Sequence, residues 1–384
     1  MKNILKHIDD LQAWDYYDRE NKKIHNWDNN KEHIEFIENF LKISGKMDIQ
    51  VAFENDDFEL KDFERLDHIN SVFFLGCLFY EKTILKDHIN FYRDDDKDKE
   101  KDEFYFIWFI TSLIHDFGYH IEKYTLPKEL NQLGSTIENF KKYIESKYNS
   151  EYYDLLNEEN KHQKSDNVKI LLDNVPAYYK CRMEGKLGRN CESKIDHGIA
   201  SGLILFNVLK SIRIKKQKEL EDDGITNNID TKTNLYWGND LDKFYFIASS
   251  SIAVHNMRRV NPLDRDYEKQ KNLYSKCDMD NLILNDDGIK KLSIHDDPFL
   301  FLLSIIDTIE PIKTFACIPP QDTLENICID FKDNRTIIVS KREGSDIDFK
   351  KLKDNISGLE NWIDVETPVC PNDSLTIVIK ENEV

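Results

Sequence analysis

Apolar residues recur at helical spacing over 31–43, 66–86, 104–122, 136–147, 192–213, 242–258 and 297–315. Runs such as FYFIWFI and FLFLLSII are apolar on nearly every face, which marks helices buried on all sides. Asp297 followed by Pro298 reads as the N-cap and first-turn proline of the last helix. Polar stretches separate these segments. RDDDKDKEKDE, from Arg93 to Glu103, reads as a solvated loop. Residues 214–236 read as a second polar stretch, and CRMEGKLGRNC, from Cys181 to Cys191, as a third loop. After Pro319-Pro320 the period changes to two: ENICIDF, RTIIVSK and SLTIVIK alternate as strands do, around a helix in DFKKLKDNISGLENWI. The pattern predicts a mainly α protein with an N-terminal helical extension over 1–59. A helical bundle follows over 60–318, then a small α+β module over 319–384.

Composition narrows the classes. A chain of 384 residues, 40% hydrophobic and 11% aromatic, is long and apolar enough to bury a substantial core. Its longest apolar runs are too short to span a bilayer, and MKNILKHIDD turns acidic before any leader-like apolar stretch develops. Seven cysteines with no CxxC pair do not form a recognisable disulfide framework, so a reducing cytoplasm is the expected setting. A formal net charge of -19 argues against a broad nucleic-acid-binding surface, which needs clustered lysine and arginine. It leaves room for a small phosphate ester, since bound cations would make a local site positive.

Against this pattern, six ionisable residues stand out. His68, His115, Asp116, His197, His255 and Asp307 each lie in or beside a strongly apolar, helix-patterned segment. Burial there is costly unless the group is paired or binds a metal. Four imidazoles and two carboxylates suit two divalent ions such as Mn, Mg, Fe, Zn or Co. Neighbours on a helix diverge by about 100°, so the adjacent His115 and Asp116 suit different tasks, Asp116 bridging two ions while His115 binds one. The other ligands must come from separate helices, as in bundle-held di-metal sites. Small residues near the ligands (Gly118, Gly198, Ala200, Ser201, Gly202 and ASSSIA before His255) allow close helix approach. His7, His25, His33, His88, His162 and His295 sit in polar contexts and are expected at the surface.

The ordered set resembles the HD-domain superfamily of metal-dependent phosphohydrolases over roughly residues 60–315. In that family a His is followed by the His-Asp doublet and a late Asp, here matched by His68, His115-Asp116 and Asp307 in IIDTIEP. Two-metal members insert further histidines, a role that His197 and His255 match. LIHDFGYH carries neither the lysine nor the proline of the HD-GYP subgroup. The resemblance implies an HD-type helical bundle and hydrolysis of a nucleotide phosphoester, whether cyclic nucleotide, dinucleotide or nucleoside phosphate, by a metal-activated water. His120, one turn after Asp116, is placed to act as the acid. Arg258 and Arg259, one turn after His255, and the looser Lys123 and Arg189, are candidate phosphate contacts. Two other classes fit the same ligands: an HD-fold mixed-valence di-iron oxygenase, and a non-catalytic regulatory or sensor protein.

Overall fold

The computed structural model describes residues 2–16, 23–44, 65–89, 91, 103–119, 166–187, 196–231, 235–262, 267–284, 291–368 and 373–381. The helix expected over 136–147 and the charge run of Arg93 to Asp102 lie outside these residues. A short strand β1 (Lys2–Asn3) leads into α1 (Ile4–Asp9), α2 (Ala13–Tyr16) and α3 (Asn30–Ile43). The helical majority comprises α4 (Leu66–Lys82), α5 (Leu85–His88), α6 (Phe104–Ile114), α7 (Asp166–Met183), α8 (His197–Asp222), α9 (Leu241–Val254), α10 (Tyr267–Ser275), α11 (Pro298–Ile309) and α12 (Pro311–Thr314). Between α8 and α9 lies a small hairpin, β2 (Ile229–Asp230) with β3 (Leu235–Tyr236). The C-terminal part holds α13 (Pro320–Asn326), β4 (Ile327–Phe331), β5 (Thr336–Lys341), α14 (Lys350–Ser357), β6 (Val365–Glu366) and β7 (Ser374–Ile379).

The protein is mainly helical with one small antiparallel sheet, as the periodicity predicts. Asp297 does cap α11, its side chain accepting from the Leu300 N–H at 2.9 Å, with Pro298 in the first turn. Several boundaries differ from expectation. The 66–86 segment breaks after Lys82, where the Thr83 hydroxyl takes the Phe79 carbonyl at 2.7 Å and α5 begins anew. The 297–315 segment breaks at Glu310, because Pro311 cannot continue the hydrogen-bond ladder. The polar stretch from residue 214 is helical to Asp222: its Lys, Glu and Gln are good helix formers, and polarity alone does not end a helix. His33 is not a surface residue. It is fully buried, with Nε2 at 2.9 Å from the Trp27 carbonyl and Nδ1 at 2.9 Å from the Asn70 amide, two partners that satisfy the ring.

The central helices α4, α6, α9 and α11 pack on one another, α8 lies along α9, and α3 covers α4 and α6. An aromatic cluster fills the α3–α4–α6 junction, with Phe40 and Phe109 stacked at 3.9 Å and Phe36 and Phe73 around them. The sheet runs β1-β4-β5-β7-β6, antiparallel throughout. Its first strand therefore comes from the N-terminal extension, Lys2 pairing with Ile329. Two backbone bonds, Leu292 N–H to the Trp362 carbonyl and Asp364 N–H to the Leu292 carbonyl, tie the C-terminal part to the helices. Cys181 and Cys277 form a disulfide with Cα atoms 6.0 Å apart, a pairing that cysteine spacing did not reveal because 96 positions separate them. No helix among the described residues is long and apolar enough to cross a membrane.

Helix α4 approaches α6 so closely that a Cβ on Gly76 would lie 2.0 Å from the Trp108 indole, whose N–H donates to the Phe73 carbonyl at 3.0 Å. Alanine usually favours a helix over glycine by about 1 kcal/mol. Here overpacking reverses the sign: Gly76→Ala is expected to destabilise the protein by about 1–3 kcal/mol. A lowered midpoint of urea unfolding checks this.

Candidate metal centre

All six candidate ligands converge, and five of them sit at or near helix ends. His68 is in the first turn of α4, and His197 is the first residue of α8, whose cap Asp196 accepts from Gly198 N–H at 3.0 Å and Ile199 N–H at 3.2 Å. His115 and His255 are the C-cap residues of α6 and α9, and Asp307 is in the last turn of α11. Asp116 falls in the turn that follows α6, so the helix expected over 104–122 stops at Ile114. Ending helices at the centre lets five of them point inward without their bodies colliding.

Two ligand groups result. His68, His115 and Asp307 bring donor atoms within 4.8 Å of one another, as do Asp116, His197 and His255. Asp116 lies between the two groups. Its Oδ2 lies 3.4 Å from His68 Nε2 and 3.7 Å from His115 Nε2, while Oδ1 lies 3.6 Å from His197 Nε2. Asp307 Oδ1 lies 3.8 Å from both His68 Nε2 and His115 Nε2.

Each histidine is oriented through its other nitrogen or its ring face. His115 Nδ1 is 2.7 Å from the Ser112 carbonyl and His255 Nδ1 is 2.6 Å from the Ile252 carbonyl. A ring that donates there leaves an Nε2 lone pair for the centre. His68 Nδ1 is held at 2.7 Å by Glu310, which is wholly buried and also caps α12 through the N–H groups of Ile312 and Lys313. His197 stacks on Tyr119 at 3.7 Å, with the Asn256 amide 2.9 Å from its Nε2.

Close backbone contact holds the two sides together. A Cβ on Gly118 would lie 2.2 Å from the His197 carbonyl oxygen, and one on Gly198 would meet the His255 ring at 2.9 Å. Gly118 N–H donates to Ser201 Oγ at 2.8 Å, joining the His-Asp turn to α8. The small residues near the ligands therefore serve close approach, as their clustering suggested.

The donor atoms fit divalent ions. His68 Nε2, His115 Nε2, His255 Nε2 and both Asp116 carboxylate oxygens are buried with no hydrogen-bond partner. Each such atom costs about 1–3 kcal/mol if nothing satisfies it. Five of them facing one place, on imidazole and carboxylate groups, make a donor set that could hold metal ions.

Electrostatics agree. Burial pushes the His115 imidazole down to about 4 and also lowers His255, with His197 adding to the effect. Burial opposes charge on His68 too, but Glu310 and Asp116 outweigh it and lift that ring to about 9. Burial would raise Asp116 and Asp307, yet electrostatic attraction, to His115 and Lys313 for Asp116 and to Lys313 foremost for Asp307, keeps both below the ordinary carboxylate range.

Lys313 was not among the expected residues. Its ammonium is 2.8 Å from Asp307 Oδ1 and 4.0 Å from Asp116 Oδ2, and the two carboxylates raise its pKa although burial opposes them. Its signal was present: Asp307, Glu310 and Lys313 are spaced three apart in DTIEPIK. The expected arginines go elsewhere. Arg258 is exposed, its guanidinium 5.3 Å from the Trp362 ring, and Arg259 donates to Asn167 Oδ1 at 2.9 Å. His120, Lys123 and Arg189 lie outside the described residues. Comparison with protein-family models, curated proteins and solved structures finds no match.

Two outcomes follow. Glu310→Gln is expected to weaken metal affinity about 10–100-fold by loosening His68, as read by competition with a chromophoric chelator. A His68 ring lifted to about 9 carries a proton at neutral pH, which must leave before Nε2 can coordinate. Mn2+ binding to chelator-stripped protein at pH 7 should therefore release about one proton. Affinity should rise with pH until about 9. Calorimetry in buffers of different ionisation enthalpy measures both.

Proposed function

We propose that the protein is an HD-type metal-dependent phosphohydrolase acting on a nucleotide phosphoester. The observation that carries this reading is the bridging position of Asp116 between two three-ligand groups, with five buried donor atoms, on His68, His115, His255 and Asp116, unsatisfied. The ligands fall along the chain in the HD order, each from a separate helical segment apart from the His-Asp doublet. His68, His115 and Asp307 would hold one ion, and Asp116, His197 and His255 the other. Two such ions supply Lewis acidity toward a phosphoryl oxygen and a water acidified to near neutral pH.

The chain's own residues do the rest. Glu310 and the Ser112 and Ile252 carbonyls fix the imidazole orientations, so little reorganisation is needed during reaction. Lys313 places a fixed cation beside both carboxylates, where it offsets charge that develops on a phosphoryl group. The apolar walls of α6 and α11 exclude bulk water and strengthen each of these interactions.

Elemental analysis of purified protein, followed by assay of cyclic nucleotides, dinucleotides and nucleoside phosphates with Mn, Mg, Fe and Co, tests the reading. Turnover is expected with at least one ion. Asp116→Asn, nearly isosteric, should lower kcat/KM by about a thousand-fold or more and reduce bound metal, with an unchanged far-UV circular dichroism spectrum. Tightly held iron with oxygen-dependent turnover would replace the hydrolase with the oxygenase alternative. Metal binding without turnover of any ester would favour a regulatory role.

A further inference from the structure

A cavity of about 600 Å³ opens beside the centre, sharing His68 and Lys313 with it. Its other walls come from outside the ligand set: Trp27 and Asp28 from the N-terminal extension, Arg65 and Asp67 before and within the first turn of α4, and an apolar wall that includes Ile318 and Pro319. The volume lies in the range of small-molecule sites. The walls are already joined, since Gln321 N–H donates to Asp28 Oδ1 at 3.1 Å and Trp27 N–H donates to Gln321 Oε1 at 3.2 Å.

Arg65 has a backbone conformation that few non-glycine residues adopt. Its φ of 67° and ψ of 44° place it in the left-handed region, immediately before the helix that carries His68. Such a conformation costs of order 1–3 kcal/mol and concentrates at ligand-binding positions. The side chain is exposed, on the wall of this cavity.

We infer that this cavity is the substrate's recognition pocket, with Lys313 and Arg65 receiving a single phosphoryl group and Ile318 and Pro319 covering the apolar part of the ester. Charge sets the number of phosphates. His68 aside, which serves the metal centre, two cations face two carboxylates, Asp28 and Asp67, and Lys313 is already engaged by Asp307. That balance suits a mononucleotide and disfavours a triphosphate or a nucleic-acid strand. Asp28 and Asp67 are acceptors for sugar hydroxyls or base amino groups. The inference rests on the hydrolase reading for the identity of the reacting group, but the pocket's binding is separately measurable.

The test is calorimetric titration of chelator-treated and Mn2+-loaded protein with AMP, inorganic phosphate and ATP. The variants are Arg65→Gly and Lys313→Met. Glycine adopts the left-handed conformation freely, so Arg65→Gly removes the guanidinium without harming the fold. AMP is expected to bind at least ten-fold more tightly than inorganic phosphate and no more weakly than ATP. Each variant should lose ten-fold or more in AMP affinity, and Arg65→Gly should leave metal content unchanged. For a hydrolysed mononucleotide, Arg65→Gly should lower kcat/KM at least ten-fold. AMP affinity equal in wild type and both variants overturns the pocket, as does phosphate binding as tight as AMP. If phosphoesters are hydrolysed while Arg65→Gly leaves kcat/KM unchanged, the pocket fails and the hydrolase stands. If AMP binding depends on both residues but no ester is turned over, the hydrolase fails and the pocket stands.

Discussion

Asp116 is the constraint around which the helices are arranged. Both of its carboxylate oxygens are buried without a hydrogen bond, a situation tolerated only when opposite charge is brought to them. That charge comes from the His68 ring of α4 and the lysine of α12, while the imidazoles of α8 and of the end of α6 bring ring nitrogens within 4 Å of the carboxylate. Apart from His115, which directly precedes Asp116, these residues come from distant parts of the chain, so compensation is possible only if their helices meet in one place. The glycines at the meeting point follow from the same requirement. A side chain on Gly118 would occupy the position of the His197 backbone and push α8 away from the carboxylate it serves.

The break between α11 and α12 coordinates much of this. Asp307, Glu310 and Lys313 are successive one-turn neighbours, but Pro311 interrupts the helix between the first and the last. Glu310 is consequently able to cap the second helix while its Oε2 holds His68, and Lys313 turns back toward Asp307. A continuous helix would run these three side chains along a single stripe. The kink converts that stripe into a cluster of carboxylate, carboxylate and ammonium around one imidazole.

The sequence made the ligands legible for a simple reason: ionisable groups in apolar, helix-patterned segments are conspicuous, and few were present. His68, His115, Asp116, His197, His255 and Asp307 were all visible this way, as was the change of period after Pro319. Residues that act through partners distant in sequence were harder to see. Glu310 and Lys313 lie beside the proline that ends an apolar segment, where a charged residue reads as part of the solvated turn. His33 looked exposed because Glu32, Lys31 and Glu35 flank it, yet its own helical face turns to the core. Arg258 and Arg259 had suitable spacing from His255, but α9 ends at Val254, and one-turn arithmetic does not survive the end of a helix. Helix ends are the least legible feature of a sequence, and they are where this centre is built.

The strand formed by Lys2 and Asn3 also bears on the order in which the protein assembles. Asn3 binds the Glu325 carbonyl across 322 positions, and Lys2 finds its ladder partner only at Ile329. As the chain emerges during synthesis, the helices that bear the ligands are all made before that partner exists. Closing so long a loop is slow compared with packing helices that are nearer neighbours. The β4–β5 hairpin needs only local contacts, so it is the return of Lys2 and Asn3 to β4 that is slow, a clasp closed over helices already made.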